Sequence, residues 1–410
     1  MNSIKINKVE MARWAKAALR KILPKFMRKA IWFIHTKIWI FRNREKMRIS
    51  AWIKHTGDPR LPEELKVMIG DYIRYNNKDA SKYWIMLGER HIIQLLNGYD
   101  NFKQTVAFKY FTWKPLKGST VKILQDRGRD WGNRNHDQLQ FLIDNNDEDT
   151  VKAAQKKAEE SRLPACFTSD QAVMYNFATF LFWEYLLKIG LGRYLSNLSE
   201  PAEGNPISVQ IDGRDISQDL LNSVIEFSSV TEYSNFSEIK IIAELGAGYG
   251  RDAFVFLKLR PHLRYVVIDI PPALYLSQRY LSSQFPDRKI FRYRHFNSFF
   301  DVEKEFNESS LIFLMPWQME MLPPKIIDGF MAIDSLHEMR SVEVRRYFSA
   351  IDRITGKFFY FKCWKDIYSS MDQTHLKEDN YPVLSRWHKV YSRECRVQTK
   401  YFEALYDLED

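Results

Sequence analysis

Cysteine is scarce in this chain of 410 residues, and its three cysteines, Cys166, Cys363 and Cys395, are widely spaced. They form neither a redox pair nor a metal-ligand cluster, so the sequence predicts no metal site. No secretory signal pattern opens the chain, which favours a reduced, cytoplasmic setting. Hydrophobic residues make up 45% of the chain and aromatic residues 15%, enough for a sizeable core.

Net positive charge is lacking from most of the chain. The net charge is +10, but residues 1–60 hold sixteen Lys and Arg against three acids, a net +13, which leaves −3 for the other 350 residues. A fold that bound nucleic acid would need a basic groove. We therefore expect no nucleic-acid partner for the main body of the protein.

The sequence also has no apolar run long enough to cross a bilayer. The longest, from Ala30 to Phe41, is broken by the polar residues His35 to Lys37, and a span needs about 20 apolar residues. In residues 1–60, aromatic and aliphatic residues interleave with Lys and Arg, as in amphipathic helices that lie on anionic membranes. The expected location is cytoplasmic, on the inner face of the membrane. Packing on the protein body, on an acidic partner or on RNA is the alternative role for this basic arm.

Residues 61–237 are predicted to form a mainly helical, accessory region that binds a substrate, the acceptor of the reaction considered below. Pro62 and the two acids after it mark the start of one helix, and Ser217 is predicted to cap another. The aromatic stripe from Tyr175 to Tyr185 is interpreted as packing surface.

A glycine-rich turn follows in residues 241–259, IIAELGAGYGRDAFVFLKL, between a predicted buried strand and a helix. Gly246, Gly248 and Gly250 let the backbone approach a ligand without an intervening side chain, and the amide groups of the helix face that ligand. The dinucleotide fingerprint would need another glycine where Arg251 stands. No Gly-Lys-Ser/Thr follows, which excludes a triphosphate loop.

Two acids beside this turn favour S-adenosylmethionine (SAM) as the cofactor. Glu244 lies at the strand end, where a carboxylate suits the cationic amino and sulfonium groups and would repel a pyrophosphate. Asp269 ends the second strand, 19 residues after Gly250, and can accept hydrogen bonds from both ribose hydroxyls, although NAD enzymes share this acid. The predicted cofactor loop consists of Glu244, Gly246, Ala247, Gly248 and Gly250, with Asp269 on the ribose.

The third predicted strand ends at Pro316, Trp317 and Gln318, whose side chains are expected to flank the adenine ring. Trp317 can equally belong to the core or to the substrate wall. A fourth and a fifth strand and a closing antiparallel pair complete a seven-stranded sheet. The fold class predicted for residues 238–410 is therefore a Rossmann-like α/β methyltransferase domain.

The sequence SLHEM after the fourth strand places Asp334, His337 and Glu338 at the carboxyl end of the sheet, where chemistry gathers in doubly wound folds. We predict that His337 deprotonates a hydroxyl, oriented by Glu338 or Asp334. The alternative is that His337 caps a helix and Glu338 starts it. The two carboxylates do not make a complete ligand set for a metal.

Four motifs, AELGAGYGRDA, VVIDIPPALYLSQRYL, IFLMP and DSLHEM, together resemble the bacterial sugar O-methyltransferases, a branch of the class I SAM-dependent methyltransferases. The likeness spans roughly residues 200–360. It implies SAM as donor, a sugar hydroxyl or glycan as acceptor, and a place in surface-polysaccharide biosynthesis, such as O-antigen or capsule. His337 stands where the family has Gln before the Glu-Met pair. The identity of the general base therefore stays open, whereas the acidic residue of the pair, Glu338, is present.

The alternative function is a non-catalytic protein that uses the methyltransferase fold as a scaffold. Its basic arm would then recruit glycan-assembly enzymes to the membrane. An intact set of Glu244, three glycines and Asp269 argues against a decayed pocket.

Overall fold

The computed structural model describes residue 52 and residues 56–75, 81–107, 134–162, 169–369 and 371–409. Internal contacts divide the chain into two units, residues 1–51 and residues 52–410. The first unit, which holds most of the predicted basic arm, lies outside the described residues. The domain boundaries expected at residues 60 and 237 stay predictions.

Helices dominate the first part of the second unit, as expected for the accessory region. They are α1 (Glu63–Tyr75), α2 (Lys82–Leu96), α3 (Arg134–Asp144), α4 (Glu148–Glu160), α5 (Ser169–Lys188), α6 (Gly192–Leu195) and α7 (Gln218–Val230). A short antiparallel hairpin, β1 (Val209–Ile211) and β2 (Arg214–Ile216), precedes α7. Ser217 caps α7 as predicted, because its Oγ accepts the Leu220 N–H at 3.0 Å. No helix within the described ranges has the length and hydropathy needed to cross a membrane.

Ten strands follow in residues 238–409. They are β3 (Ile241–Leu245), β4 (Arg264–Ile268), β5 (Ile290–Phe291), β6 (Leu311–Leu314), β7 (Ile327–Ile333), β8 (Thr355–Trp364), β9 (Asp366–Ser369), β10 (Thr374–Lys377), β11 (His388–Glu394) and β12 (Tyr401–Asp407). Strands β9 and β10 pair as a separate hairpin. The other eight form one sheet in the order β11-β12-β8-β7-β3-β4-β6-β5, with β12 antiparallel to both of its neighbours. The predicted Rossmann-like fold class is confirmed, and β5 adds a short edge strand to the seven predicted ones.

Four helices connect these strands: α8 (Arg251–Leu259), α9 (Ala273–Gln284), α10 (Glu303–Glu308) and α11 (Ser341–Ile354). Strands β3 and β7 lie side by side and parallel in the middle of the sheet. The loops after their carboxyl ends therefore meet at one edge.

The two faces of the sheet differ in polarity because strand side chains alternate. Ala243, Leu245 and Phe361 belong to a large apolar cluster on one face, together with side chains of α11. Glu244 and Lys362, which alternate with them, point to the other face, and both are buried. The second face must therefore neutralise charge as well as bury apolar surface.

A buried ion network supplies that neutralisation. Arg251, the first residue of α8, donates to both carboxylate oxygens of Glu226 on α7, at 2.5 and 3.0 Å. Lys362 Nζ lies 2.8 Å from the same carboxylate. Burial alone would raise the pKa of Glu226, but the attraction of Arg251 and Lys362 outweighs it and lowers this pKa to about 2. The network fixes the start of α8, directly after the glycine turn, to the sheet.

Arg251→Leu is expected to lower the free energy of unfolding by about 3 kcal/mol, because it leaves the buried Glu226 and Asp252 carboxylates with less compensation. Urea denaturation followed by far-UV circular dichroism measures this change. The control is Arg60→Ala, which breaks an exposed ion pair with Asp58 and should leave the unfolding midpoint nearly unchanged. Equal losses for the two variants would contradict a stabilising role of the buried network.

Candidate active site

A cavity that is partly open to solvent lies over the carboxyl ends of four parallel strands. Its floor is formed by the residues that follow these strands: Gly246 and Gly248 after β3, Asp269 and Ile270 after β4, Pro316 and Trp317 after β6, and Asp334 and Ser335 after β7. All of these except Ile270 and Ser335 are predicted site residues, and the fold brings them into one space.

The glycine turn is built on backbone angles that disfavour side chains. Gly246, Gly248 and Gly250 have φ values of +81°, +61° and +90°. A Cβ on Gly246 would lie 2.5 Å from Cβ of Ser335, whose Oγ donates to the Leu245 carbonyl at 2.9 Å. The turn after β3 therefore seats directly on the loop after β7, and glycine is needed for that approach.

Asp269 holds the turn from the neighbouring strand. One carboxylate oxygen accepts the Gly248 N–H and the other accepts the Ile270 N–H, both at 2.7 Å. Burial raises the pKa of Asp269 to about 7, against the opposing effect of these two hydrogen bonds. The carboxyl group thus lines the cavity and is already fixed in orientation.

Helices α1 and α2 of the accessory region, with the residue before α2, cover the cavity with four further side chains, those of Tyr72, Tyr75, Ser81 and Trp84. We call these four side chains the roof. Tyr75 stacks on Trp317 with ring centroids 4.7 Å apart, and on His295 at the same distance. Aromatic rings therefore bound the cavity on the side of β6.

Polar anchors tie the roof to the sheet domain. Tyr293 donates to Asp71 of α1 at 2.9 Å. Asp372, in the turn between β9 and β10, accepts from the Ser81 hydroxyl and from the Lys82 N–H, each at 3.0 Å. Asp372 therefore caps the first turn of α2 from another part of the fold.

The three predicted catalytic residues on the loop after β7 differ in whether they line the cavity. Asp334 lines the cavity, at φ +53°, with its backbone N–H bonded to the Lys362 carbonyl at 2.9 Å. His337 is only 2% exposed, its Nε2 lies 3.3 Å from Asp334 Oδ1, and its ring packs beside Trp364. Neither His337 nor the half-buried Glu338 is among the described residues that line the cavity.

Four other predicted cofactor residues lie outside the cavity lining. Glu244 is buried on the face of the sheet below the turn, where it accepts the Tyr265 hydroxyl at 2.6 Å. Gln318 is buried and fixes its own loop through the Met315 N–H and the Arg294 carbonyl, at 2.8 and 2.9 Å. Ala247 and Gly250 belong to the backbone of the turn.

Helix α11 supplies three lining residues that the sequence did not single out: Glu343, Arg346 and Tyr347. Their spacing of three and four positions places them on one helix face, and the helix directly follows the loop after β7. That spacing was a usable signal for them. The roof residues had no such signal, because they lie far from the sheet in sequence.

Metal ligands are not clustered in the described part of the chain, where no group of three His, Cys, Asp or Glu side chains could hold an ion.

Comparison with known proteins finds resemblance in structure alone. No family model matches the sequence. No curated protein matches it. Among the solved structures, a SAM-dependent methyltransferase from Aquifex aeolicus has 11% identity and a TM-score of 0.29, covering 44% of this chain and 88% of its own.

Two further solved structures match to a comparable extent. An S-adenosylmethionine-dependent methyltransferase from Clostridium acetobutylicum has 10% identity and a TM-score of 0.31, with 46% of this chain and 91% of its own covered. The 1,6-didemethyltoxoflavin-N1-methyltransferase of Burkholderia thailandensis, with bound 1,6-didemethyltoxoflavin and S-adenosylhomocysteine, has 14% identity and a TM-score of 0.31, with 45% and 78% covered. Identities this low carry no information on the substrate.

Between pH 5 and pH 8, the free energy of unfolding of Glu244→Gln is expected to rise by about 2 kcal/mol relative to that of the natural protein. Burial raises the pKa of Glu244 to about 7, so the folded state holds a proton that the unfolded state has already released above its ordinary pKa. The natural protein therefore loses stability as pH rises towards 7, and glutamine does not titrate. Urea midpoints at the two pH values measure the difference. A matched Glu308→Gln variant, whose carboxylate is stabilised by Lys289, should show no such gain, and parallel behaviour of both variants would contradict the prediction.

Proposed function

We propose that this protein binds SAM in the cavity and transfers its methyl group to a hydroxyl of a sugar. The supporting observation is the order of side chains along the floor. Strands β6, β4, β3 and β7 are consecutive neighbours, so Trp317, Asp269, Gly246 and Asp334 follow one another across the edge of the sheet. At about 4.8 Å per strand, the four positions span about 14 Å. This length suits an adenine ring, a ribose, a sulfonium group and a methyl acceptor in that sequence.

The charge of the cavity supports a cationic donor. Three carboxyl side chains, those of Asp269, Asp334 and Glu343, line it, against one guanidinium, that of Arg346, among the described lining residues. Carboxylates attract a sulfonium and an ammonium group and repel the pyrophosphate of a dinucleotide. The helix after the turn also begins with Arg251 folded inward onto Glu226, so this arginine is not directed at a phosphate.

The acceptor end is assigned to the side of β7. Asp334 and Glu343 can accept hydrogen bonds from hydroxyl groups, and the rings of Trp84 and Tyr347 offer apolar surface to the carbon faces of a sugar. Direct attack of the hydroxyl on the methyl carbon requires the two reactants to be held together and the hydroxyl proton to be removed. With the four motifs that resemble the sugar methyltransferases, these features support a role in surface-polysaccharide biosynthesis. Its partners would be a sugar or glycan acceptor and glycan-assembly enzymes.

SAM binding separates this function from the scaffold alternative. Isothermal titration calorimetry with SAM and the full chain should show binding at one site per chain. Absence of binding at millimolar SAM would reject the enzyme and favour the scaffold.

Gly246→Ala is expected to weaken SAM binding at least tenfold, or about 1.4 kcal/mol. The added methyl group would collide with Ser335 and open the junction on which the floor is built. Gly190→Ala is the matched control, because Gly190 has φ +80° against +81° for Gly246, and a Cβ there would meet nothing within 4 Å. Calorimetry should find the affinity of the control variant unchanged. Equal affinity of both variants would contradict the placement of SAM over this turn.

For residues 1–60 we propose attachment to anionic membrane, which would bring the enzyme to lipid-linked or growing glycans. Deletion of residues 1–50 should reduce sedimentation with vesicles of phosphatidylglycerol and phosphatidylcholine, because it removes most of the excess positive charge of residues 1–60. SAM affinity should stay the same, which checks that the remaining chain is folded. Vesicles of phosphatidylcholine alone should bind neither protein. Equal sedimentation of both proteins with the anionic vesicles would refute the proposal.

A further inference from the structure

Glu343 is a buried carboxylate at the acceptor end of the cavity. It lies in the first turn of α11, is 9% exposed, and shares the cavity lining with Asp334. Its Oε2 accepts the Arg340 N–H at 3.3 Å, so it also serves in the capping of α11. A cap alone does not require a buried carboxyl group that lines a cavity, because an exposed acid caps a helix equally well.

The surroundings of Glu343 come from three elements. Arg346 and Tyr347 lie on its own helix, and Asp334 lies on the loop after β7. On the opposite side Ser81 is held by Asp372, whose negative charge also acts on Glu343. Burial raises the pKa of Glu343 to about 7 and Asp372 adds to the rise, whereas the Arg340 N–H and the positive charges of Arg346 and Arg340 oppose it. A general base works best when its pKa lies near the operating pH.

The other candidate bases are placed less well. His337 is buried beside Asp334 and is not among the described residues that line the cavity. Asp334 does line the cavity, but one of its oxygens lies 3.3 Å from His337 Nε2. That contact suits a residue that orients the acceptor.

We propose that Glu343 is a catalytic residue that accepts the proton of the methyl-accepting hydroxyl, an inference that rests on the proposed SAM-dependent methyl transfer. The hydroxyl oxygen forms a bond to the methyl carbon as the carbon–sulfur bond breaks, and the electron pair of that bond returns to the sulfur. The hydroxyl proton passes to the Glu343 carboxylate. The products are a methyl ether, S-adenosylhomocysteine and a protonated Glu343, which releases its proton to solvent through the open side of the cavity.

Glu343→Gln tests this role without removing the helix cap, since the glutamine carbonyl can still accept the Arg340 N–H. The assay is transfer of tritiated methyl from SAM to a carbohydrate extract of cells that lack this protein, in which the acceptor stays unmethylated. At saturating SAM, where the titration of Asp269 no longer limits donor binding, we expect the natural protein to gain rate as pH rises towards about 7, because the carboxylate form of Glu343 is needed. The variant should be about 100-fold slower, with that pH dependence lost.

Two controls separate catalysis from structure. Calorimetry should still find one SAM site per chain in Glu343→Gln, with a loss of affinity far smaller than the expected loss of rate of about 100-fold, which shows an intact donor site. Glu303→Gln, at an exposed first-turn position of α10, should keep full rate and the full pH dependence.

The outcomes are distinguishable. Full activity of Glu343→Gln, or a slower variant that keeps the pH dependence, overturns the role of Glu343 and leaves the proposed function standing. Failure of the natural protein to label the extract, or to bind SAM, overturns the proposed function and this inference with it.

Discussion

The contact between Gly246 and Ser335 is the constraint on which the candidate site depends. It joins the loop after β3 to the loop after β7, with no room for a side chain between them. The Ser335 hydroxyl bond to the Leu245 carbonyl fixes the same junction from the other direction. Because these strands are neighbours, the close contact between the Gly246 backbone and Ser335 sets both the donor position and the acceptor position of the proposed enzyme. The buried Arg251 network then holds the helix that leaves the turn.

Charge decides what this junction can bind. The carboxyl groups of Asp269 and Glu343 both have pKa values raised by burial to about 7, so near neutral pH each is part charged and part protonated. In the proposed function, the sulfonium of SAM would favour their charged forms, so the cavity would become more complementary to the donor as it binds. A polyphosphate would instead favour the protonated forms of both carboxyl groups. The proposed preference for a cationic donor therefore rests on burial of carboxyl groups as much as on their number.

Much of the sheet could be predicted from the sequence, and six of the twelve predicted site residues line the cavity, because those features are local. The strand ending at Leu245, the glycines and Asp269 are all recognisable within residues 241–269. The direction in which His337 points could not be predicted, since a short turn decides it and the same residues allow either face. Charge alone does not distinguish Glu343 from other acids of this region, and only the position of α11 over the cavity does so. Tyr75 and Trp317 meet across more than half the chain, which no local pattern can show.

The roof extends the site beyond the sheet domain. Tyr75 closes the side of Trp317, while Ser81 and its partner Asp372 lie on the side of Glu343. The accessory region therefore borders the cavity at both ends that the proposed function assigns to donor and acceptor, although the glycine turn lies far along the chain from it. The anchors of these accessory helices, at Tyr293 and Asp372, belong to different parts of the fold. In the proposed enzyme, the choice of acceptor would therefore depend on the accessory helices as well as on the loop after β7, whereas the floor of the cavity consists of loops of the sheet domain.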